Sequence, residues 1–513
     1  MYNLIIYLYL LGVAVCSRFN EKVRKMWRGE RDAFRVLREK VEPGAHYVWF
    51  HAASLGEFEQ GRPLMEQLRR ERPELKILLT FFSPSGYEVR KNYDGADIIC
   101  YLPLDTPLNA RRFLRLVRPE MAFFIKYEFW YNYLHILKHR NIPVYSVSSI
   151  FRDGQVFFRW YGRQYGRVLK CFTHFYVQNE KSRELLAGIG LTNVTITGDT
   201  RFDRVLQIKE QAKVLPVVDA FLNLRPQGSD FRPQTSDLRL QTSDLRLQTS
   251  DLRLQTSDLR LQTSDLRPQT SDFRPQTSDI RHQTSDIRLQ TSDQRACKVF
   301  VAGSSWPPDE EIFIRYFKEH PEWKLIIAPH VIGEEHLQQI EKLLEGFEVK
   351  RYKSLTPNPS RGGEGSGYIT NGNACQGKVG IANVYTPLSS ARGAGGEALI
   401  IDCFGLLSSI YRYATVTYVG GGFGVGIHNT VEAAVWGVPV IFGPNNEKFQ
   451  EAQELKACGG GFEIKGYEDF ARLMDRFDSD PQYTATAGRA ARQYVEQRAG
   501  ATRKILSDTL AKL

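Results

Sequence analysis

Two separate series of short apolar runs, each alternating with stretches of helical character, constrain the fold of this 513-residue chain more than any other feature. The first series, between about residues 45 and 200, contains "HYVWFHA", "LKILLTFFS", "MAFFIKYEFW", "PVYSVSSI" and "HFYVQN". The second begins at "KVFVAGSS" and continues through "WKLIIAPH", "ALIIDCFG", "TVTYVGGG" and "VPVIFGP". Such alternation is typical of parallel sheets with crossover helices. The sequence therefore predicts an α/β protein with two doubly wound, Rossmann-like domains facing a cleft.

Two low-complexity insertions interrupt this pattern. Between the two series lie ten copies of a heptapeptide typified by "QTSDLRL", with an aspartate every seven residues from Asp230 to Asp293. Its apolar positions fall two and five apart and prolines interrupt it, so a coiled coil is not expected. The alternatives are a disordered insertion and a repetitive partner-binding module. A Gly, Ser and Asn-rich stretch at 356–395 indicates a second, loop-like insertion.

These breaks divide the chain into five parts. We expect a membrane-associating segment at 1–28, an N-terminal acceptor-binding domain at 29–206, and a linker with the repeat at 207–296. A C-terminal nucleotide-sugar-binding domain at 297–485 and a C-terminal helix at 486–513 complete the chain.

The N-terminus begins with a short apolar stretch, "MYNLIIYLYLLGVAVC", followed by basic residues from Arg18 to Arg28. As a helix it would span roughly 24 Å, less than a hydrocarbon core of about 30 Å. It lacks the preceding basic region and cleavage site of a signal peptide. It is either a helix buried in the first domain or a membrane-embedded anchor whose basic residues meet lipid headgroups on the cytoplasmic side.

Charge and cysteine content narrow the choice of partners. The formal net charge of +10 suits an anionic partner, namely nucleic acid, acidic lipid or a phosphorylated substrate. No clustered aromatic and basic motif indicates nucleic-acid binding. The seven cysteines are scattered and form no C-x-x-C pair, so neither a disulfide framework nor a zinc site is expected. The sequence carries no signal for the oligomeric state.

A glycine-rich turn followed by a helix gives the most informative stretch, "YVGGGFGVGIHNTVEAAVWGVPVIFGP". The turn follows a strand, and we expect the helix to begin near His428 or Asn429 with Glu432 in its first turn. Glycines let a backbone approach a ligand closely, and a helix N-terminus favours phosphate, although tight packing alone also explains such a turn. Glu432 could accept hydrogen bonds from ribose hydroxyls.

Together with "HAASLGE" and "KYEFWYN", this stretch resembles the 3-deoxy-D-manno-octulosonic acid (Kdo) transferases of lipopolysaccharide synthesis, which have the two-domain GT-B architecture. The resemblance covers most of the chain outside the insertions. It implies an inverting glycosyltransferase that moves Kdo from CMP-Kdo to a lipid A precursor at the cytoplasmic face of the inner membrane. It also implies contact with inner-membrane lipid.

The resemblance assigns roles to particular residues. The glutamate of the family's His-x-x-Ser-hydrophobic-Gly-Glu motif, its catalytic base, falls on Glu57. The implied CMP contacts are Pro329, His330, Phe404, Gly405, Leu406, Asn429, Thr430, Val431 and Glu432. Four positions depart from the family pattern: His330 replaces an arginine, Leu406 an acidic residue, Ile427 a glycine, and Lys126 a glutamate, whereas Glu128 is retained.

Further candidates come from position in the chain. Ser304 lies at a strand end facing the expected cleft and could contact the donor. His51, Ser54 and Glu128 could orient the acceptor, although a buried and satisfied His51 is an equal alternative. Four arginines in "RRFLRLVR" form either a solvated helix face or a surface for acidic phospholipid. Glu57 itself could merely complement the dipole at a helix start.

The expected mechanism is general base catalysis without a metal or other cofactor. A carboxylate that takes the proton of the acceptor hydroxyl accelerates transfer by about 10² to 10⁴. The leaving CMP phosphate needs only N–H donors and positive charge. The alternatives are a GT-B transferase or epimerase that uses a UDP-sugar, and a basic protein that binds membrane or nucleic acid.

Overall fold

The computed structural model describes residues 2–212, 214–223, 297–353, 386–387, 396–424 and 426–511. The heptapeptide repeat lies outside these residues, as does the segment 356–395 apart from Thr386 and Pro387. The chain forms two compact units, one of Met1–Leu215 with Lys298–Leu513 and the other of Pro216–Cys297. The described part of the second unit contains one short helix, Pro216–Phe221. The first unit contains both sheets.

The N-terminal domain is built on a seven-stranded sheet in the order β3-β2-β1-β4-β5-β6-β7. All of its strand pairs are parallel. The strands are β1 (Tyr47–Ala52), β2 (Lys76–Phe81), β3 (Ile98–Tyr101), β4 (Met121–Ile125), β5 (Val144–Ser149), β6 (His174–Val177) and β7 (Val194–Ile196).

Among the described residues, nine α-helices precede, connect or follow these strands. They are α1 (Tyr2–Cys16), α2 (Glu21–Lys40), α3 (Leu55–Glu71), α4 (Pro84–Arg90), α5 (Pro107–Val117), α6 (Tyr131–His139), α7 (Arg163–Gly166), α8 (Glu180–Ala187) and α9 (Arg201–Gln211). Short 3₁₀ turns lie at Val156–Phe158, Trp160–Gly162 and Arg167–Cys171.

Side chains of β1 alternate between two apolar clusters, one on each face of the sheet. Tyr47 and Trp49 belong to one cluster, and Val48 and Phe50 belong to the other. Every residue of β1 is buried, as expected for a central strand of a parallel sheet covered by helices on both faces. The indole N–H of Trp49 donates to the hydroxyl of Thr80 at 2.8 Å, so its one polar group is satisfied.

The C-terminal domain is built on an eight-stranded sheet in the order β11-β10-β12-β9-β8-β13-β14-β15. The strands pair in parallel, except that β11 runs antiparallel to β10. They are β8 (Lys298–Ser305), β9 (Trp323–Pro329), β10 (Glu348–Lys353), β11 (Thr386–Pro387), β12 (Glu397–Asp402), β13 (Val416–Val419), β14 (Val440–Phe442) and β15 (Gly461–Glu463).

The helices of this domain are α10 (Pro307–Phe317), α11 (Glu334–Leu343), α12 (Leu407–Ile410), α13 (Val431–Ala434), α14 (Gln450–Cys458), α15 (Tyr467–Ser479), α16 (Pro481–Arg498) and α17 (Ala501–Leu510), with a 3₁₀ turn at Tyr411–Tyr413. The last helix returns to the N-terminal domain, because Ile505 and Leu506 join the apolar cluster on one face of its sheet. Asp203 fixes the start of α17 by accepting the backbone N–H of Thr502 at 2.7 Å. The predicted α/β fold with two doubly wound domains is thus confirmed.

The N-terminal helix α1 lies largely on the surface. Val13 is its one buried residue, whereas Leu4, Leu8 and Leu11 are 60 to 65% exposed. Its first turn is tied to the domain, because the hydroxyl of Tyr2 donates to Asp105 at 2.7 Å. The alternative of a buried helix is therefore wrong. Within the described ranges, no helix has both the length and the apolar content that crossing a bilayer requires.

Candidate active site

The carboxyl ends of two strand pairs define the site. In the N-terminal sheet the strand order reverses between β1 and β4, and in the C-terminal sheet it reverses between β8 and β13. Open α/β sheets bind ligands in the crevice at such reversal points. The motifs "HAASLGE" and "KYEFWYN" follow β1 and β4, and the glycine-rich turn follows β13. Residues far apart in sequence thus converge on ligand-binding positions of both sheets.

Glu57 lies in the first turn of α3, where it forms a capping box with Ser54. Its Oε2 accepts the backbone N–H of Ser54 at 3.1 Å and also the Ser54 hydroxyl. Two donors from one residue hold this carboxylate in a single orientation. Ser54 therefore positions Glu57, since its own hydroxyl is already engaged.

His51 is fully buried and connects β1 to Glu128. Its Nδ1 lies 2.9 Å from the hydroxyl of Thr80, and its Nε2 lies 3.1 Å from Oε2 of Glu128. The indole N–H of Trp130 donates to the same carboxylate oxygen at 2.7 Å. His51 therefore acts on the site through Glu128 and cannot itself touch an acceptor in this structure. Glu128 keeps partial exposure at the crevice.

A cavity of about 80 Å³ at the carboxyl edge of the C-terminal sheet, here named the C-terminal pocket, collects most of the proposed donor contacts. It is lined by Ser304, Pro329, His330, Phe404, Gly405, Asn429 and Glu432, together with seven other residues that include His428 and Ser408. Three proposed contacts do not line it. Leu406 only precedes the short helix α12, and Thr430 and Val431 are buried beneath the pocket wall.

Three aromatic rings form a stack at the C-terminal pocket, and two of them, His330 and His428, line it. The ring centroids of Trp306 and His330 are 4.9 Å apart, and those of His330 and His428 are 4.2 Å apart. The indole N–H of Trp306 donates to Nε2 of His428 at 3.2 Å, so this nitrogen must be unprotonated. Burial lowers the pKa of His330, and burial together with nearby His330 lowers the pKa of His428 to about 4. Both imidazoles are consequently neutral at pH 7.

Glu432 is the buried carboxylate of the C-terminal pocket. Its Oε2 accepts the Ser408 hydroxyl at 2.6 Å, and its Oε1 accepts the Asn429 side-chain amide at 2.9 Å. Burial raises the pKa of Glu432, and these two hydrogen bonds act in the opposite direction. The carboxylate therefore fixes Asn429 at the pocket mouth.

The glycine-rich turn packs against protein rather than lining the pocket. A side chain at Gly420 would meet the carbonyl of Ser304 at 2.3 Å, and one at Gly422 would meet the backbone of Gly443 at 2.5 Å. Asp309 anchors the turn by accepting the Gly421 N–H at 3.0 Å. The following helix begins at Val431 and lasts a single turn. The helix thus begins two residues after the expected start at Asn429, and the close contacts of Gly420 and Gly422 favour the alternative of tight packing for these two glycines.

A larger cavity of about 320 Å³, here named the interdomain cavity, lies between the two sheets. It is lined from the N-terminal domain by Gly56, Glu59, Gln60, Lys126, Tyr127, Ile150, Arg152, Gln178, Arg201, Arg204, Val205 and Ile208, and from the C-terminal domain by His428, Asn429, Glu432, Lys448, Phe449, Gln450 and Glu451. His428, Asn429 and Glu432 also line the C-terminal pocket, so the two cavities adjoin.

Glu57 lines neither cavity but stands beside the larger one. Its neighbour Gly56 forms part of the wall, and the charge of Glu57 contributes to the raised pKa of Tyr127, which is caused mainly by burial. A substrate hydroxyl at the Gly56 and Tyr127 wall would therefore meet a fixed carboxylate, with the C-terminal pocket across the cleft.

Sequence reasoning missed most of the interdomain cavity. Arg201 and Arg204 lie on α9, one turn apart, and a short connection, 197–200, separates this helix from the end of β7. Their position near the carboxyl edge of the N-terminal sheet is the signal that could have identified these arginines as residues of the cavity. Lys448 and Phe449 lie in a loop whose approach to the other domain no sequence pattern reveals.

Comparisons with known proteins agree with this geometry. Residues 24–204 match the family model described as 3-deoxy-D-manno-octulosonic-acid transferase (kdotransferase). The chain is 22% identical over 426 residues to the 3-deoxy-D-manno-octulosonic acid transferase of Aquifex aeolicus, covering 82% of each chain. The corresponding transferase of Haemophilus influenzae is 38% identical over 108 residues, which are 21% of this chain and 25% of that protein.

A solved structure shows the same fold in another enzyme. UDP-GlcNAc 2-epimerase from Neisseria meningitidis, bound to UDP-GlcNAc, superposes with a TM-score of 0.50 at 13% identity, covering 91% of this chain and 100% of that one. This likeness concerns architecture alone.

Two facing doubly wound domains with ligand-binding edges define a protein of the GT-B class. With the family match and the relatives, the resemblance seen in the sequence is confirmed. Residues 24–204 carry a Kdo transferase domain, and the chain is a glycosyltransferase.

Proposed function

We propose that this glycosyltransferase moves Kdo from CMP-Kdo to a hydroxyl of a lipid A precursor, with Glu57 as the general base. The observation that carries the proposal is the state of the Glu57 carboxylate. Ser54 holds Oε2, while Oε1 has no hydrogen-bond partner among the described residues. One oxygen is thus fixed and the other is open to accept a proton at the edge of the interdomain cavity.

The donor would occupy the C-terminal pocket. Glu432 and Asn429 present hydrogen-bonding groups suited to ribose hydroxyls, and Ser304, Pro329, His330, Phe404 and Gly405 form the remaining wall. Leu406, Thr430 and Val431 support this wall from behind. His330 stacks between Trp306 and His428 and offers a neutral imidazole where an arginine would offer a permanent charge.

The acceptor would enter from the N-terminal domain. Glu128, held by His51 and Trp130, keeps partial exposure on the β4 side of the crevice, and Glu57 lies on the β1 side. A sugar hydroxyl held between them would lose its proton to Glu57 as it attacks the anomeric carbon of Kdo, and CMP would leave. Attack from the face opposite the leaving group gives inversion.

Transfer is proposed to need no divalent metal. The leaving group is a nucleoside monophosphate. Fixed hydrogen-bond donors and positive side chains can stabilise its negative charge. The basic side chains of the interdomain cavity provide such positive charge.

Location at the cytoplasmic face of the inner membrane is part of the proposal. Leu4, Leu8 and Leu11 present apolar side chains to solvent on α1, and Phe19 is 85% exposed directly after it. Basic residues follow at once, from Arg18 to Arg28. An apolar surface with adjacent positive charge suits an anionic bilayer surface.

The decisive experiment is a product analysis. Purified protein is incubated with CMP-Kdo and a lipid A precursor, and in a parallel reaction with UDP-GlcNAc, and products are measured by mass spectrometry. A mass increase of the acceptor by Kdo units supports the proposal. A folded protein that forms no Kdo product, or that converts UDP-GlcNAc instead, overturns it.

A further inference from the structure

The interdomain cavity has an excess of positive side chains. Five basic residues line it, namely Lys126, Arg152, Arg201, Arg204 and Lys448. Only three carboxylates do so, namely Glu59, Glu432 and Glu451. Positive charge concentrated in a cleft raises the local concentration of anions.

The three carboxylates are already engaged. Arg204 Nε lies 3.2 Å from Glu59, and Arg201 Nη1 lies 3.2 Å from Glu451. Glu432 accepts hydrogen bonds from its own domain. These groups therefore neutralise two of the cations and leave the other three unbalanced.

Lys126, Arg152 and Lys448 carry the unbalanced charge. Within the part of the chain that the structure describes, none of them forms an ion pair with a carboxylate. The ammonium of Lys126 lies 5.7 Å from the ring centre of Tyr127, and the lysine as a whole is half-buried, whereas Arg152 and Lys448 are exposed. A partly buried cation without a counter-charge is costly unless a ligand supplies one.

The backbone of Lys126 adds a second, independent observation. Its φ is +66°, a left-handed conformation that glycine adopts at little cost and that a lysine adopts with strain. The Lys126 N–H donates to the carbonyl of Val147 at 2.8 Å, and its carbonyl accepts the Ser149 hydroxyl at 2.9 Å, so the surrounding structure imposes this conformation. The backbone from which the Lys126 side chain starts is thus held in one place at the wall of the cavity.

We propose that Lys126, Arg152 and Lys448 form a subsite for an anionic oxygen group of a substrate, a carboxylate or a phosphate monoester. This rests on the proposed function for the identity of the substrates. Two sources share the required chemistry, namely the carboxylate of Kdo and a phosphate of the lipid A precursor. Bound there, the anion would hold the reacting sugar against the wall formed by Gly56 and Tyr127, beside Glu57.

The test measures binding without turnover. Free Kdo and glucosamine 1-phosphate serve as the two probes, and calorimetry of the full chain gives their dissociation constants at low and high salt. The variants are Lys126→Gln and the double variant Lys126→Gln with Arg152→Gln. Lys318→Gln, at an exposed lysine after α10, is the matched control.

We expect at least one probe to bind the wild type more weakly as salt rises. Lys126→Gln should weaken this binding about 10- to 100-fold, the double variant further, and Lys318→Gln should not change it. The probe that binds identifies the source of the anion. Absence of binding by both probes, or equal binding to Lys126→Gln, overturns the subsite.

A further variant separates the ammonium from the backbone. Lys126→Gly removes the charge and relieves the strain at positive φ, so it should raise the thermal unfolding midpoint while losing probe binding. A variant that gains stability and keeps probe binding also overturns the proposal.

Turnover with CMP-Kdo is measured on the same preparations. Probe binding without Kdo transfer would refute the proposed function and leave the subsite standing.

Discussion

The backbone N–H and the hydroxyl of Ser54 both donate to Oε2 of Glu57, the former at 3.1 Å. The same carboxylate thus caps a helix and stands at the edge of the interdomain cavity. The structural role and the proposed catalytic role therefore coincide in Glu57, and a test of catalysis must separate them.

Replacement of Glu57 by glutamine keeps a cap and removes the base. Glutamine at this position of a capping box still accepts the Ser54 N–H, so Glu57→Gln should retain nearly all of the free energy of unfolding. Its kcat should fall by at least about 10², because the acceptor hydroxyl loses its proton acceptor. CMP affinity, measured by calorimetry, should stay unchanged.

Glu57→Ala removes both roles, so it should also lower the free energy of unfolding by about 0.5 to 2 kcal/mol. Glu71→Gln, an exposed carboxylate at the end of the same helix, is the control and should keep full activity. Near-normal turnover in Glu57→Gln would remove Glu57 from the mechanism.

The His428 ring makes stability depend on pH. Its folded pKa is about 4, whereas an unfolded histidine titrates near 6.5, so the unfolded chain binds a proton first as pH falls. Stability from the neutral ring is therefore fully present above about pH 6.5 and is lost between pH 6.5 and 4. The loss should be at most about 3 kcal/mol, measured by urea unfolding across this range.

His428→Phe should flatten this dependence, since phenylalanine cannot be protonated. The lowered pKa of His330 contributes in the same direction, so part of the slope should remain. Identical slopes for wild type and His428→Phe would refute this role.

The sequence was sufficient to predict both sheets and the location of Glu57, because apolar runs and the end of β1 are local features. It could not predict the stack of Trp306, His330 and His428, which joins three separate strand ends through tertiary packing. The sequence left two alternatives open for the glycine-rich turn for a related reason. Gly420 and Gly422 are needed for contact with backbone elsewhere in the domain, and a local pattern does not distinguish that need from contact with a ligand.

Metal removal should leave Kdo transfer unchanged. Dialysis against EDTA, followed by assay in EDTA, should give the same kcat and KM for CMP-Kdo as untreated protein, since fixed donors and cations can stabilise a monophosphate leaving group. Added Mg²⁺ should not stimulate the dialysed protein beyond the effect of an equal ionic strength of NaCl. Activity lost in EDTA and restored by Mg²⁺ would contradict this expectation.

Membrane association should depend on the exposed face of α1. Leu8 and Leu11 are 60% and 63% exposed, so Leu8→Glu with Leu11→Glu should fold normally, because neither side chain contributes to the core. The double variant should bind vesicles containing anionic lipid about 10-fold or more weakly, since burying each leucine in the bilayer contributes roughly 1.5 to 3 kcal/mol. Sedimentation with vesicles measures this binding.

Two controls make the vesicle experiment specific. Val214→Glu introduces one glutamate at another exposed apolar residue, outside α1, and should leave vesicle binding unchanged. Vesicles of neutral lipid should bind the wild type more weakly than anionic vesicles, because the basic residues after α1 attract anionic headgroups. High salt should reduce the difference, since it screens this attraction. Equal binding of the double variant and the wild type to anionic vesicles would place the membrane contact elsewhere on the protein.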